Sequence, residues 1–285
     1  MKEKVYEEFG IKPDYLIYKK NYIWFEYNDF KYIVMQTNYD EKKLGYLNQL
    51  VNYLDNYGFF FHQLIGGKNG FIMTFGDKNY VLLKLRIIKE RVITVDEILK
   101  LSSISVKEIG ITNIEEKIDF LEQYLANYEN LELINFNYFI GLAENAIEMF
   151  NLYGAENKNY INHRRLVYNE NTLEFYNPLN LVIDYHTRDL AEYVKSLFIS
   201  GENKVIEYLK YLNYKDWYTY FARMLFPSFY FDFIDNYIKN GQEFNKKRIS
   251  NLANSYEKML RDTYYSINSK VIMPNITWLS NVNNI

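Results

Sequence analysis

The amino-acid sequence predicts an α+β fold in two lobes, a small β-rich N-terminal lobe and a mainly helical C-terminal lobe. In the first ninety residues, short runs of aromatic and β-branched residues alternate with turn-forming residues, as in antiparallel strands. Beyond about residue 94, apolar residues recur at helical spacing. A polar loop and a predicted hairpin interrupt the helices at 163–184. We therefore place the N-lobe at 1–92 and the C-lobe at 93–285.

The N-lobe pattern predicts a meander of three strands, then one helix, then further strands. Breaks at Lys19–Asn21 and Asn28–Asp29 separate the first three strands, and Gly66 and Gly67 indicate a hairpin turn between later ones. The predicted helix runs from Asp40 to Asn56. The predicted strands are Tyr15–Lys19, Ile23–Tyr27, Phe30–Gln36, Phe59–Ile65, Phe71–Phe75 and Tyr80–Ile87.

The C-lobe pattern predicts a series of helices. A capping-box pattern begins at Thr112, and Pro227 should kink or break the helix that contains it. The predicted helices are one from Thr94 or Asp96 to Leu101, then Thr112–Tyr128, Asn135–Tyr153, one that begins near Thr187, Asn203–Leu212, Asp216–Lys239 and Gln242–Tyr265.

The stretch from Asn162 to Phe198 concentrates the polar residues that could carry chemistry. It contains two of the three histidines, His163 and His186, and an aspartate, Asp184, at a predicted strand end. A polar loop starts at His163. A short hairpin is predicted next, with one arm at 173–176 and the other at 181–183.

This order of loop, hairpin, Asp and helix resembles the catalytic segment of the protein-kinase-like fold, in its aminoglycoside-phosphotransferase branch. There the loop has the pattern H-x-D-x-x-x-x-N, in which the Asp orients the hydroxyl nucleophile and the Asn holds a metal. A second Asp, after the hairpin, holds the Mg²⁺ that bridges the phosphates. By this resemblance His163 is retained, Arg165 stands at the position of the loop Asp, Glu170 at that of the Asn, and Asp184 at that of the metal-binding Asp.

Three segments together resemble a narrower family, the spore-coat-associated kinase-like proteins of endospore-forming bacteria. The segments are Gly141–Ile147, Asp184–Glu192 and Tyr220–Phe231. The resemblance implies a kinase-like fold, a location in the spore coat and partners among spore-coat or other proteins.

The N-lobe lacks most of the residues that such a fold uses to bind a nucleotide. The turn between the first two strands, Lys19–Asn21, has no glycine that would let the backbone approach phosphates. Gln36 takes the place expected for the lysine of the third strand. Gln36 and Asp184 are therefore the candidate cofactor-binding residues, and they would serve Mg-ATP only if the site is active.

Three functions compete at this point. The first is a pseudokinase scaffold, which accounts for a kinase-like pattern without its catalytic residues. The second is an active atypical phosphotransferase that uses Asp184 for Mg-ATP, with His163 and Arg165 as further candidate catalytic residues. The third is a metal or hydrolytic enzyme built on His163, His186 and Asp184.

Three residues are expected to have structural roles. By the resemblance, His163 packs and hydrogen-bonds to hold the catalytic loop. Asp189 is expected to be a buried anchor that braces this loop through backbone N–H groups. Arg223, inside an apolar segment, is expected to pair with a buried acid such as Asp189 or Glu192.

Composition limits the remaining classes. The net charge of −3 gives no general attraction to nucleic acid or to an anionic membrane, and the lack of cysteine excludes disulfides and thiolate sites. Residues 1–12 lack the apolar core of a signal peptide, and no apolar run approaches the roughly 18 residues of a membrane span. We therefore expect a cytoplasmic protein that can reach the spore coat.

The sequence contains 30 tyrosines. This high content fits either of two explanations: oxidative cross-linking of tyrosines in a coat, or an AT-rich coding sequence.

Overall fold

The computed structural model describes residues 1–87, 89–106, 135–153, 159–240, 246–276 and 279. The chain divides into two units. The first contains residues 1–94 and 169–181, and the second contains residues 95–168 and 182–285.

The first unit is an antiparallel sheet with two helices. Helix α1 spans Lys2–Phe9 and α2 spans Glu41–Asp55, capped by the side chain of Asp40, which accepts a hydrogen bond from Lys43 N. The strands are β1 Ile17–Tyr18, β2 Tyr22–Tyr27, β3 Phe30–Gln36, β4 Gln63–Leu64, β5 Ile72–Phe75 and β6 Lys78–Lys84. The sheet order is β1-β2-β3-β6-β4, and β5 also pairs with β6.

The meander and the α2 helix match the prediction, because their apolar periodicity is strong. Phe25 on β2 and Tyr32 on β3 stack at 5.3 Å in a core that also contains Val5 of α1. The helix α1 was not predicted. It is closed by Gly10 in the left-handed conformation, with φ of 69°.

The glycine-rich segment turns at Gly67–Gly70, a little after the predicted position. Gly67 N donates to Gly70 O at 2.6 Å. A Cβ atom on Gly67 would lie 2.8 Å from the carbonyl oxygen of Glu8, so only glycine allows this turn to pack on α1.

The second unit is mainly helical. It also contains the two-stranded pairing of β7, Tyr160–His163, with β8, Leu181–Asp184. Its core is aromatic: the rings of Phe139 and Tyr230 stack at 4.0 Å. The helices are α3 Val95–Ser102, α4 Phe136–Tyr153, α5 Arg188–Ile199, α6 Trp217–Leu225, α7 Ser228–Asn240 and α8 Lys246–Asn268.

Several C-lobe predictions are confirmed and others are corrected. Pro227 divides the predicted long helix into α6 and α7, because proline cannot supply the backbone N–H that a continuous helix needs. The segment predicted as the helix Asn203–Leu212 is a 3₁₀ helix, Val205–Tyr211. The predicted helix Thr112–Tyr128 lies outside the described residues.

The predicted hairpin after the loop is wrong in its first arm. Thr172–Phe175 forms one α-helical turn, and Pro178–Asn180 forms a 3₁₀ turn. The second arm is a strand, β8, but it pairs with β7 and not with residues 173–176. The side chain of Asn171 accepts a hydrogen bond from Glu174 N at 2.9 Å, so a local cap stabilises the helical turn.

In the part of the chain that the structure describes, none of the helices has both the length and the apolar character that a membrane span needs.

Candidate functional site

The loop after β7 is anchored by Asp189, at the start of α5. Asp189 is fully buried, and its Oδ1 accepts a hydrogen bond from His163 N at 2.7 Å. Its Oδ2 lies 2.6 Å from His163 Nδ1. Asp189 N donates to the side-chain oxygen of Asn162 at 3.3 Å. This geometry agrees with the predicted roles of both residues, since Asp189 braces the loop and His163 packs inside the fold.

The carboxylate of Asp184, at the end of β8, is held by the side chain of Arg188. Arg188 Nη1 donates to Asp184 Oδ2, and Tyr185 N donates to Asp184 Oδ1 at 2.8 Å. The side chains of Asp184 and Arg188 are 4% and 3% exposed, respectively. Both oxygens of the predicted metal-binding carboxylate are therefore engaged by the protein itself.

Arg188 also uses its remaining donors to hold the loop. Its Nε donates to the carbonyl oxygen of His163 at 3.0 Å, and its Nη2 donates to the carbonyl oxygen of Arg164 at 3.0 Å. A planar guanidinium can donate hydrogen bonds to several acceptors at once, because its N–H groups point in fixed, divergent directions. Arg188 thus links the end of β8 to the loop after β7.

Arg165, at the position of the loop Asp in the resembled pattern, forms an ion pair with Asp232 of α7. Its Nη2 also donates to the carbonyl oxygen of Ser228 at 3.3 Å. The side chains of Arg165 and Asp232 are 39% and 36% exposed, respectively. The residue that the resemblance aligns with the loop Asp is therefore paired with an acid of α7.

A buried ionic cluster lies on α5, α6 and α7. Glu192 Oε1 accepts from Lys195 Nζ at 2.6 Å and from Arg223 Nε at 2.8 Å. Glu192 Oε2 accepts from Ser228 Oγ at 3.0 Å. Arg223 therefore pairs with Glu192, one of the two acids expected for it.

The charges of this cluster depend on one another. Burial on its own would raise the pKa of Glu192, but the neighbouring cations Lys195, Arg223, Arg165 and Arg188 hold that pKa far below its usual range. Burial lowers the pKa of Lys195 to about 7, against the opposing attraction of Glu192. Lys195 Nζ is also satisfied by Phe226 O at 3.0 Å. We interpret the cluster as structural, since a buried carboxylate with two cations needs all its partners.

The remaining predicted site residues have other surroundings. Gln36 lies at the exposed end of β3, where it pairs in register with Tyr80. Glu170 lies in the first unit, and its carbonyl oxygen accepts from Ile93 N at 3.0 Å. His186 contacts Asp216, with Nε2 and Oδ1 2.8 Å apart.

The negative charge of the Asp184 carboxylate is already balanced by Arg188. Each of its oxygens already accepts a hydrogen bond, one of them from a cation. His163, His186 and Asp184 contact different partners, namely Asp189, Asp216 and Arg188. Among the described residues, no group of three or more His, Cys, Asp or Glu side chains is arranged to hold a metal ion. The three residues of the predicted metal or hydrolytic site are therefore not brought together.

Comparison with family models shows which protein family the chain belongs to. A family model described as "Spore coat putative kinase YutH" matches residues 116–268, which is more than half of the chain. The chain belongs to this spore-coat kinase family. The match includes all three segments on which the family resemblance was based. No curated protein sequence matches the chain significantly.

Solved structures show that this family member has a protein-kinase-like fold. An aminoglycoside phosphotransferase from Alicyclobacillus acidocaldarius matches with a TM-score of 0.54 and 10% identity, over 90% of this chain and 91% of that one. A choline kinase from Streptococcus pneumoniae matches with a TM-score of 0.52 and 13% identity, over 94% and 97%. An AMP-bound spectinomycin phosphotransferase matches with a TM-score of 0.51 and 9% identity, over 95% and 98%. At these identities the likeness shows the fold.

Sequence reasoning missed the partners of Asp184, Arg165 and His186. Arg188 follows Asp184 by four residues, a spacing that brings opposite charges together on a helix. Because Asp184 ends a strand and Arg188 begins a helix, that rule did not apply directly. The Arg165–Asp232 and His186–Asp216 pairs join residues 67 and 30 positions apart, respectively, and no local pattern indicates them.

Proposed function

We propose that this protein is a pseudokinase, a kinase-like scaffold that binds partner proteins of the spore coat and does not transfer phosphate. The observation that carries the proposal is the buried pair of Asp184 and Arg188. Arg188 supplies a tethered positive charge to the carboxylate that a kinase would use for Mg²⁺.

Displacing Arg188 would be costly. A metal ion at Asp184 would have to break a buried ion pair and leave the Arg188 guanidinium without its carboxylate. Breaking a buried pair by removing one partner typically costs about 3–5 kcal/mol. The arrangement therefore opposes Mg²⁺ binding at Asp184, although the family resemblance assigns a metal to this position.

The position of the catalytic base supports the same proposal. A guanidinium stays protonated in proteins, so it cannot accept a proton from an incoming hydroxyl. Arg165 is moreover engaged with Asp232 and with the carbonyl oxygen of Ser228. Phosphoryl transfer depends on positioning and charge stabilisation. The residues at the positions of the base and of the metal ligand, Arg165 and Asp184, are instead paired with Asp232 and Arg188.

The intact scaffold around the site supports a binding role. The His163–Asp189 anchor and the buried Glu192 cluster hold the loop and α5–α7 in a defined arrangement. The family description supports the spore coat as the location. Partners are then coat proteins that contact the kinase-like surface.

The proposal is tested by nucleotide turnover and nucleotide binding. Purified protein is incubated with ATP and Mg²⁺ or Mn²⁺, and phosphate release is compared between wild type and Asp184→Ala. Binding is followed in parallel by the change in melting temperature with ATP, with and without metal. We expect no turnover above a protein-free blank, and no difference between the two proteins. Turnover that disappears in Asp184→Ala would overturn the proposal in favour of an active atypical phosphotransferase.

A further inference from the structure

Two exposed tyrosines, Tyr53 and Tyr57, are in direct contact at the C-terminal end of α2. Their ring centroids are 5.1 Å apart with an interplanar angle of 51°, and their hydroxyl oxygens lie 2.7 Å apart. The two residues are 38% and 44% exposed, respectively. The contact therefore joins two phenols that solvent and small oxidants can reach.

The backbone holds the two rings on the same side of the helix. Tyr53 lies in the last turn of α2, and side chains four residues apart lie on one face of a helix. After the helix, Tyr57 N donates to Leu54 O at 3.0 Å, and Gly58, with φ of 77°, turns the chain. The buried side chains of Leu50 and Leu54 fix α2 in the first unit. The tyrosine contact thus rests on a rigid support.

Two other tyrosine pairs of the described residues lack this combination of contact and exposure. The rings of Tyr153 and Tyr218 stack at 4.4 Å, but the hydroxyl of Tyr218 donates to the carbonyl oxygen of Ile272 at 3.0 Å. The rings of Tyr168 and Tyr193 are 5.7 Å apart, and Tyr193 is buried. The pair at the end of α2 is therefore the better placed for a reaction between two phenols.

Neighbouring phenols have a defined oxidation chemistry. A phenol that loses one electron and its hydroxyl proton becomes a phenoxyl radical, whose unpaired electron is shared between the oxygen and the ortho carbons. Two such radicals couple through a bond between ortho carbons, and the hydrogen on each coupled carbon then moves to the ring oxygen. Because an ortho carbon is bonded to the carbon that carries the hydroxyl, hydroxyls in contact bring the ortho carbons of two rings near each other. Groups held together in this way react at a high effective concentration.

We propose that Tyr53 and Tyr57 are a site of oxidative modification, at which a one-electron oxidant of the peroxidase class joins the two rings as dityrosine. The two tyrosines together lose two hydrogen atoms, and one hydrogen peroxide becomes two waters, so atoms and electrons balance. The product is a covalent link between the last turn of α2 and the chain that follows it. The proposal uses no residue of the kinase-like site, so it is independent of whether the protein transfers phosphate.

The test oxidises the whole chain at low protein concentration with photo-excited tris(bipyridine)ruthenium(II) and persulfate, a one-electron oxidant that acts in buffer and in urea alike. Trypsin cleaves after Lys43 and Lys68, so residues 44–68 form one peptide that contains both tyrosines. We expect this peptide to become lighter by two hydrogen atoms, to show dityrosine fluorescence, and to give fragment ions that place the link between Tyr53 and Tyr57. In concentrated urea the yield should fall about tenfold, because the helix no longer holds the rings together.

Matched variants locate the link. Tyr53→Phe and, separately, Tyr57→Phe keep a ring but remove one phenol, and each should abolish the loss of two hydrogen atoms. Tyr46→Phe is the control, because Tyr46 lies on the same helix and in the same peptide and is 41% exposed. It should leave the yield unchanged. The proposal is overturned if the native protein forms no link between the two residues, if Tyr46→Phe lowers the yield as much as Tyr53→Phe, or if the yield in urea equals the native yield.

Discussion

Arg188 Nη1 donates a hydrogen bond to Asp184 Oδ2 inside the protein, where both side chains are almost completely shielded from water. The family resemblance aligns this carboxylate with the metal-binding Asp, and the guanidinium comes from the first residue of the following helix. Arg188 therefore balances the negative charge of Asp184 within the fold.

The first prediction follows from this pair. Replacing Arg188 with Ala removes the built-in cation and leaves a buried carboxylate that a divalent cation can neutralise. We expect Arg188→Ala to bind Mn²⁺ at least tenfold more tightly than wild type, as measured by the electron paramagnetic resonance signal of free Mn²⁺.

Two controls define this result. Arg164→Ala removes a neighbouring, exposed arginine and should leave Mn²⁺ affinity at the wild-type level. The double variant Arg188→Ala with Asp184→Asn should lose the gained affinity. If Arg188→Ala binds Mn²⁺ no better than wild type, the guanidinium does not block a metal site.

The second prediction concerns the anchor formed by Asp189. Asp189→Ala leaves His163 N and Nδ1 without their acceptor in the interior. Removing one partner from such a buried network typically costs about 3–5 kcal/mol. We expect a corresponding fall in the free energy of unfolding, measured by urea denaturation followed by circular dichroism. Asp262→Ala, at an exposed position of α8, is the matched control and should change the free energy of unfolding by less than about 0.5 kcal/mol. A harmless Asp189→Ala would contradict the anchoring role.

The third prediction is a pH dependence that arises from His62. This side chain is completely buried, with Nε2 3.2 Å from the carbonyl oxygen of Leu173 and Nδ1 accepting from Arg86 N at 3.3 Å. Burial lowers the pKa of His62 to about 4, although the hydrogen bond to Leu173 opposes this shift.

The sign of the effect follows from proton binding. Between pH 6.5 and 4 the unfolded chain holds a proton on His62 that the folded chain does not, so stability falls as pH decreases. Integrated over this range, the loss is about 3 kcal/mol. We expect His62→Gln to reduce this part of the pH dependence, which urea denaturation at pH 7, 5.5 and 4 would measure. An unchanged slope in His62→Gln would show that other groups cause it.

Elements with strong local signals were predictable. The α2 helix has regularly spaced leucines and an aspartate cap, and Pro227 separates α6 from α7 as proline chemistry requires. The hairpin at 173–176 was predicted wrongly, since its apolar run is too short for periodicity to distinguish a strand from a helical turn. The sequence Asn171-Thr-Leu-Glu174 did contain a capping pattern that favours the helical turn.

The sequence by itself determined which charges are present at the resembled catalytic positions: an arginine at 165, a glutamate at 170 and an aspartate at 184. It also identified Asp189 as an anchor and the family to which the chain belongs. Only the tertiary structure decided which charged side chains form ion pairs. Arg165 pairs with Asp232, and Arg223 pairs with Glu192, because folding brings together segments that are distant along the chain. Burial then makes each pairing energetically important, since a charge removed from water needs a specific partner.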